Sequence, residues 1–181
     1  MRKIVLLALM LLALFAVNAH AGSSAIGIDG GVLKGTGDFG DATKTGYGGG
    51  AFYDYWVSNM LAVGADFGWN TAKSKTSDDI KVTLMNYGAH LKYAFPMGES
   101  KVHPYVTAGA GMYNVKVKAG SAEASDNKFG GHGGLGLEYM VNPQVGVGAE
   151  ANFHFISTEG TSTQAVTGVA MVTYHLPSAA K

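Results

Sequence analysis

Nine ionisable side chains in this 181-residue chain, of types that do chemistry, fall on the polar faces of alternating segments. Asp29, Asp54, Asp66, Glu138 and Glu150 are carboxylates, His90, His132 and His154 are imidazoles, and Lys92 is an amine. A carboxylate beside an imidazole can move a proton, hold a divalent metal or close an ion pair, depending on how the backbone brings the two together. Their settings share one pattern. Residues 145–155 read V-G-V-G-A-E-A-N-F-H-F, with every odd position apolar. Strand side chains alternate between faces, so Glu150 and His154 share one face while Phe153 and Phe155 occupy the other. His90 and Lys92, with Asn86, alternate in the same way against Met85, Tyr87, Ala89, Leu91, Tyr93 and Phe95. Asp66 lies opposite Phe67 and Trp69, His132 and Glu138 opposite Leu135, Leu137 and Tyr139, Asp54 opposite Tyr53 and Tyr55, and Asp29 opposite Ile26 and Ile28.

The elements that must carry these residues are eight strands, near 24–33, 45–56, 61–71, 80–95, 102–117, 128–140, 145–156 and 164–176. Most reach the ~9–11 residues that a tilted strand needs to cross a bilayer, against about five or six for a soluble sandwich strand. The fifth and eighth are poorly phased, because both of their faces are fairly apolar. Long polar connections (34–44, 72–79, 118–127 and 157–163) are expected after the odd strands, and short turns (57–60, 96–100 and 141–144) after the even ones. This asymmetry belongs to barrels with long outer loops and short inner turns, and an even strand count puts both termini on the short-turn side. Aromatics gather near strand ends. Tyr53, Tyr55, Trp56, Tyr93, Phe95, Tyr139 and Tyr174 lie towards the short turns, and Trp69, Tyr113 and Phe129 towards the long loops. Two interfacial girdles are the expected arrangement.

Residues 1–21 have the makings of an exported leader. Arg2 and Lys3 precede a 14-residue apolar run, 4–17, and Ala19-His20-Ala21 supplies small residues for cleavage. The expected division is a signal peptide over 1–21 and one barrel domain over 22–181. No later apolar run is long enough for a helix to span a bilayer, a test that says nothing of barrels. The chain has no cysteine, so neither a disulfide framework nor a thiolate site is available. After the leader, 11 lysines face 13 acids, a net charge of −2, and no basic tract points to nucleic acid.

Pro104-Tyr105-Val106-Thr107-Ala108-Gly109-Ala110-Gly111, then Gly133-Gly134-Leu135-Gly136-Leu137-Glu138-Tyr139, then Asn142-Pro143-Gln144-Val145-Gly146-Val147-Gly148, resemble the small outer-membrane β-barrel domain superfamily. That group includes the OmpA transmembrane domain, OmpX and OmpW-like proteins. The resemblance implies an all-β fold: a monomeric eight-stranded antiparallel transmembrane β-barrel in the outer membrane of a Gram-negative cell. It implies outer-membrane lipids and lipopolysaccharide as surroundings and the barrel-assembly machinery as a partner in biogenesis. Only 177–181 follow the eighth strand, so no peptidoglycan-binding domain like that of full-length OmpA is expected. Members usually end on an aromatic read by the assembly machinery; here Tyr174 and Leu176 would carry that signal.

An eight-stranded barrel is just wide enough for its own side chains to fill it. Asp29, Asp54, Asp66, His90, Lys92, His132, Glu138, Glu150 and His154 are therefore expected to form a mutually satisfied polar plug, since buried charges need partners. The function that follows is structural or surface-interacting. The alternatives are a narrow gated pore or an OmpW-like path for small hydrophobic molecules. A catalytic role is not expected. Lipid A deacylases of this fold need a Ser–His pair on the lipid-facing wall, and His154 and Ser157 fall on opposite faces of a continuous strand. A Gly-x-Ser-x-Gly elbow, a phosphate loop and a His-Glu-x-x-His motif are lacking. Neither His90 nor His132 belongs to a closely spaced His pair, so no metal and no cofactor is expected. In the loops, Asp38, Asp41, Asp78, Asp79, Glu123, Asp126 and Glu159 sit beside Lys44, Lys73, Lys75 and Lys118. They are expected to be solvated, with the lysines within reach of lipopolysaccharide phosphates.

Overall fold

The structure, a computed structural model, describes residues 23–158 and 161–177. The leader, Glu159 and residues 178–181 lie outside them. Eight antiparallel strands form a closed barrel, each paired with its sequence neighbour, and the last returns to the first. They are β1 (Ser24–Thr36), β2 (Gly46–Trp56), β3 (Leu61–Lys73), β4 (Ile80–Ala94), β5 (Val102–Ala119), β6 (Ala122–Met140), β7 (Val145–Thr158) and β8 (Thr161–His175). A six-residue helix, α1 (Gly37–Ala42), follows β1.

The register fixes the barrel's geometry. From Ala25 the pairing path runs through Asp54, Gly64, His90, Gly109, His132, His154 and Ala165 to Gly35, a shift of ten residues around the wall. Such a stagger tilts the strands strongly and leaves an interior that side chains can fill. Alternation sets the two faces. Large apolar residues such as Ile28, Phe67, Leu91, Leu135 and Phe155 point out and are exposed. Asp54, His90, Lys92, Glu138 and His154 point in, with Thr107 and Thr167.

At the end where β1 begins and β8 finishes, side chains build the turns. Ser58 Oγ accepts from the Met60 and Leu61 amides at 3.2 and 3.0 Å. Asn142 Oδ1 accepts from the Gln144 and Val145 amides at 2.8 and 2.9 Å. These are the local hydrogen bonds that make Ser and Asn turn residues.

The opposite end departs from expectation. Residues 118–127 are not a loop. β5 and β6 run on as a hairpin that turns at Gly120 and Ser121, with Gly120 at φ +60°. Val115 and Val117 suit extended pairing, and the polar residues around them face water from a projecting ribbon. Residues 34–44 likewise contain the end of β1 and α1, and β3 continues past Thr71 to Lys73. Reach on this side therefore comes from projecting strands more than from unpaired loops. α1 is tied to the β3–β4 loop: the Ala42 carbonyl accepts the Lys75 amide at 2.9 Å, and the Gly40 carbonyl accepts Lys75 Nζ at 2.7 Å.

A second departure lies inside that same end. Leu33, Ala72, Leu84, Tyr113, Ile156 and Ala165 form a buried apolar cluster, with Phe39 of α1 and Val115 packed against it. The interior is thus polar over most of its length and apolar under the projecting strands.

Candidate functional site: the barrel lumen

Asp54 and His90 stand on strands separated by β3. Their register partner between them is Gly64, which has no side chain to keep them apart. They meet across it, His90 Nε2 lying 2.7 Å from Asp54 Oδ1. Lys92, two residues along β4 on the same face, contacts Asp54 Oδ2. Its ammonium also lies 4.6 Å from the Phe52 ring centroid and 4.9 Å from that of Tyr105, within range of cation–π attraction. The other His90 nitrogen, Nδ1, lies 3.2 Å from Asp66 Oδ1, and Asn86 Nδ2 donates to Asp66 Oδ2 at 3.0 Å. One connected chain, Lys92–Asp54–His90–Asp66–Asn86, therefore crosses the lumen face of β2, β3 and β4. Asp54 is only 1 % exposed, and His90 and Lys92 are also buried. Burial of this kind is tolerated when each charge has hydrogen-bonded opposite charges around it.

The remaining five residues form smaller groups. Glu138 on β6 reaches His175 on β8, 3.2 Å from its Nε2, and its side chain lies over Gly146 of β7. Asn152 donates to Glu150 two residues away on β7. His154 is held by Tyr113 OH at 3.1 Å and Thr167 Oγ1 at 3.0 Å, and its ring centroid lies 5.7 Å from that of His132. Asp29, Asp66, His132 and Glu150 line a central cavity of about 90 Å³. The nine residues share one lumen, but only Asp54, Asp66, His90 and Lys92 join through direct contacts.

Several participants are absent from the sequence-based set. Tyr105, Phe52, Thr167 and Met171 project inward, and His175 and His103 line a mouth of about 300 Å³ at the end where β1 begins. His175 and Tyr105 sit on β8 and β5, the strands whose alternation has no clear phase. Two aromatics expected in the girdles are corrected. Tyr113 is 1 % exposed and packs inside the barrel, because Met112 and Ala110 hold the outward positions on β5. Trp56 lines the lumen mouth instead of the outer wall. Tyr53, Trp69, Tyr93, Phe95, Tyr139 and Tyr174 are exposed on the outside, and Tyr55 is half-buried in the same register. Tyr93 and Phe95 pack edge to face at 5.3 Å.

The chemistry available is limited. His154 is buried in the lumen while Ser157 is exposed, so the two do not form a nucleophile–base pair. Among the described residues no group of three or more His, Asp or Glu is placed to hold a metal ion. No described helix is long and apolar enough to cross a membrane.

The family model described as outer membrane protein β-barrel domain matches residues 7–175. Neisserial surface protein A is similar in structure, with a TM-score of 0.70 and 22 % identity over 84 % of this chain and 98 % of that one. The attachment invasion locus protein of Yersinia pestis gives 0.60 and 21 %, over 86 % and 99 %. The outer membrane enzyme PagL gives 0.51 and 15 %, over 83 % and 98 %. At these identities the likeness is one of fold. No curated protein matches the chain in sequence.

Proposed function

The chain belongs to the outer-membrane protein β-barrel domain family and resides in the cell outer membrane, and from that premise we propose that it is a non-conducting structural or surface-interaction protein. The carrying observation is the state of its lumen. The Lys92–Asp54–His90–Asp66–Asn86 chain fills one part, and the Leu33, Leu84 and Ile156 cluster fills the end beneath α1. Between them lies a cavity of about 90 Å³, room for a few waters. A lateral exit for hydrophobic molecules would need a gap between strands, and all eight neighbouring pairs are hydrogen-bonded.

The fold is shared with an enzyme, so the absence of catalysis is part of the same reading. It is supported by His154 pointing inward, away from any lipid substrate. The projecting strands face outward from a Gram-negative cell and both termini face the periplasm. Tyr53, Tyr55, Tyr93, Phe95, Tyr139 and Tyr174 form the inner aromatic girdle, with Trp69 and Phe129 at the outer interface. Lipopolysaccharide surrounds the monomer, and the barrel-assembly machinery inserts it.

Conductance in planar bilayers tests the proposal, on protein whose heat-modifiable gel migration shows it folded. A silent membrane is expected. Discrete openings would replace the plugged reading with a narrow pore. A mass shift in lipid A upon expression would replace the non-enzymatic one.

A further inference from the structure

The cavity of about 300 Å³ opens at the end where β1 begins. Buried Lys92, Tyr105 and Glu138 line it together with the half-buried Trp56, His103 and His175. Its volume falls at the lower end of small-molecule sites and suits one ring-sized molecule.

Trp56 is the residue that the barrel itself does not explain. Tyr53 and Tyr55 take the outer face of β2, so alternation turns Trp56 inward. An indole gains most at a lipid interface or in a packed core. Here it lines an open mouth beside ionisable groups, and its N–H has no hydrogen-bond partner among the described residues. The His103 ring likewise bonds to no described residue, although His103 stands in register opposite Glu138.

The charges of the mouth are already engaged within the protein. Lys92 contacts Asp54, and Glu138 lies 3.2 Å from His175 Nε2. An anion entering here would face Glu138, a cation would face Lys92, and either would give up its hydration. A neutral polar molecule meets no such penalty. Hydrogen-bonding capacity remains for it, since a carboxylate accepts several bonds and an ammonium donates three. Ser58 also lines the mouth, and its oxygen accepts the Met60 and Leu61 amides, which leaves its O–H to donate.

We infer that this mouth binds a neutral pyranose ring, as a free sugar or as the end residue of a glycan, with the C–H face of the ring against Trp56 and its hydroxyls towards Glu138 and His103. A pyranose has the two surfaces that the mouth offers, an apolar face and a polar edge. The inference rests on the orientation proposed above only for the side from which the sugar arrives, the periplasm, and does not require a closed lumen.

The chain has two tryptophans, and Trp69 lies on the outer wall. Trp69→Phe therefore leaves Trp56 as the single indole reporter. The protein, refolded into phosphatidylcholine nanodiscs that carry no sugar, is titrated with N-acetylglucosamine and with its linear tetramer, chitotetraose. A saturable shift of Trp56 emission at millimolar sugar is expected, and saturation-transfer NMR on the wild type should give the same affinity. By NMR, Trp56→Ala should weaken binding about ten-fold. His103→Ala should weaken it about five-fold, which keeps the test informative should the first variant fold poorly. Cationic glucosamine and anionic glucuronate should bind more weakly than the neutral sugar. Tighter binding of the tetramer would assign the site to a glycan end, and equal binding to a free sugar. No saturable response to either neutral probe, unchanged affinity in both variants, or charged sugars bound as tightly as the neutral one would overturn the inference. Channel openings from the same protein would defeat the plugged lumen and leave this site standing.

Discussion

His90 lies across Gly64, so close that a Cβ built on Gly64 would stand 2.5 Å from His90 Nε2. The contact between imidazole and Asp54 depends on that empty position. The same Cβ would stand 2.4 Å from the Tyr53 carbonyl oxygen. Gly64→Ala should therefore strain the β2–β3 pairing as well as push His90 off Asp54, and cost about 1–3 kcal/mol, as overpacking does elsewhere. Urea unfolding in lipid vesicles measures it, with Gly133→Ala as the control. A Cβ at Gly133 would have its nearest neighbour at 3.8 Å, so that variant should stay within about 0.5 kcal/mol of the wild type. Equal midpoints for the two variants would show that the glycine seat is not needed.

Asp54 and Lys92 should behave as a buried pair. Asp54→Asn leaves the Lys92 ammonium without its counter-charge and should destabilise the barrel by about 3–5 kcal/mol. Adding Lys92→Met removes the stranded charge, and most of the loss should return. A double variant as unstable as the single one would mean that the two residues are not energetically coupled.

The same residues show what a sequence discloses here. Asp54 and His90 are readable as inward-facing because each alternates with exposed apolar neighbours. Their meeting is not readable. It arises from register across three strands, joining residues 36 positions apart over a glycine that carries no signal of its own. Tyr113 is misplaced by sequence because β5 is apolar on both faces, and alternation without contrast has no phase. Residues 118–127 look like a loop because water reaches both sides of the projecting hairpin, so neither face needs to be apolar. His175 pairs with Glu138 beyond the register contacts of neighbouring strands, on a strand whose inner face is also hard to phase.

Outside the barrel wall, Lys44 ties the start of β2 to the β3–β4 loop through Asp78 at 2.8 Å. The hydrogen bond from Lys44, and the nearby positive charge, hold the Asp78 carboxyl below its ordinary value of 3.8. A depressed carboxyl pKa contributes stability that is present above 3.8 and is lost as pH falls through the lower folded value. A carbon-detected NMR titration should place the Asp78 midpoint below 3.8, and Lys44→Gln should move it up towards that value. A midpoint at or above 3.8 in the wild type would show the tie absent in solution. Salt should also weaken the shift, since both groups are exposed.

The two ends of the barrel are distinct enough to test orientation directly. Gly120 and Ser121 form the tip of the β5–β6 hairpin, with Gly120 in the left-handed region and nothing within 4 Å of its would-be Cβ. An insertion there meets no packed neighbour. The β6–β7 turn is at the other end, where the Asn142 side chain holds the backbone with two hydrogen bonds. An epitope inserted between Gly120 and Ser121 should leave folding intact and bind antibody on whole cells. The same epitope placed after Asn142 should bind only once the outer membrane is permeabilised, and should cost stability by breaking the Asn142 contacts. The reverse labelling pattern would put the β5–β6 hairpin on the periplasmic side and overturn the orientation proposed above.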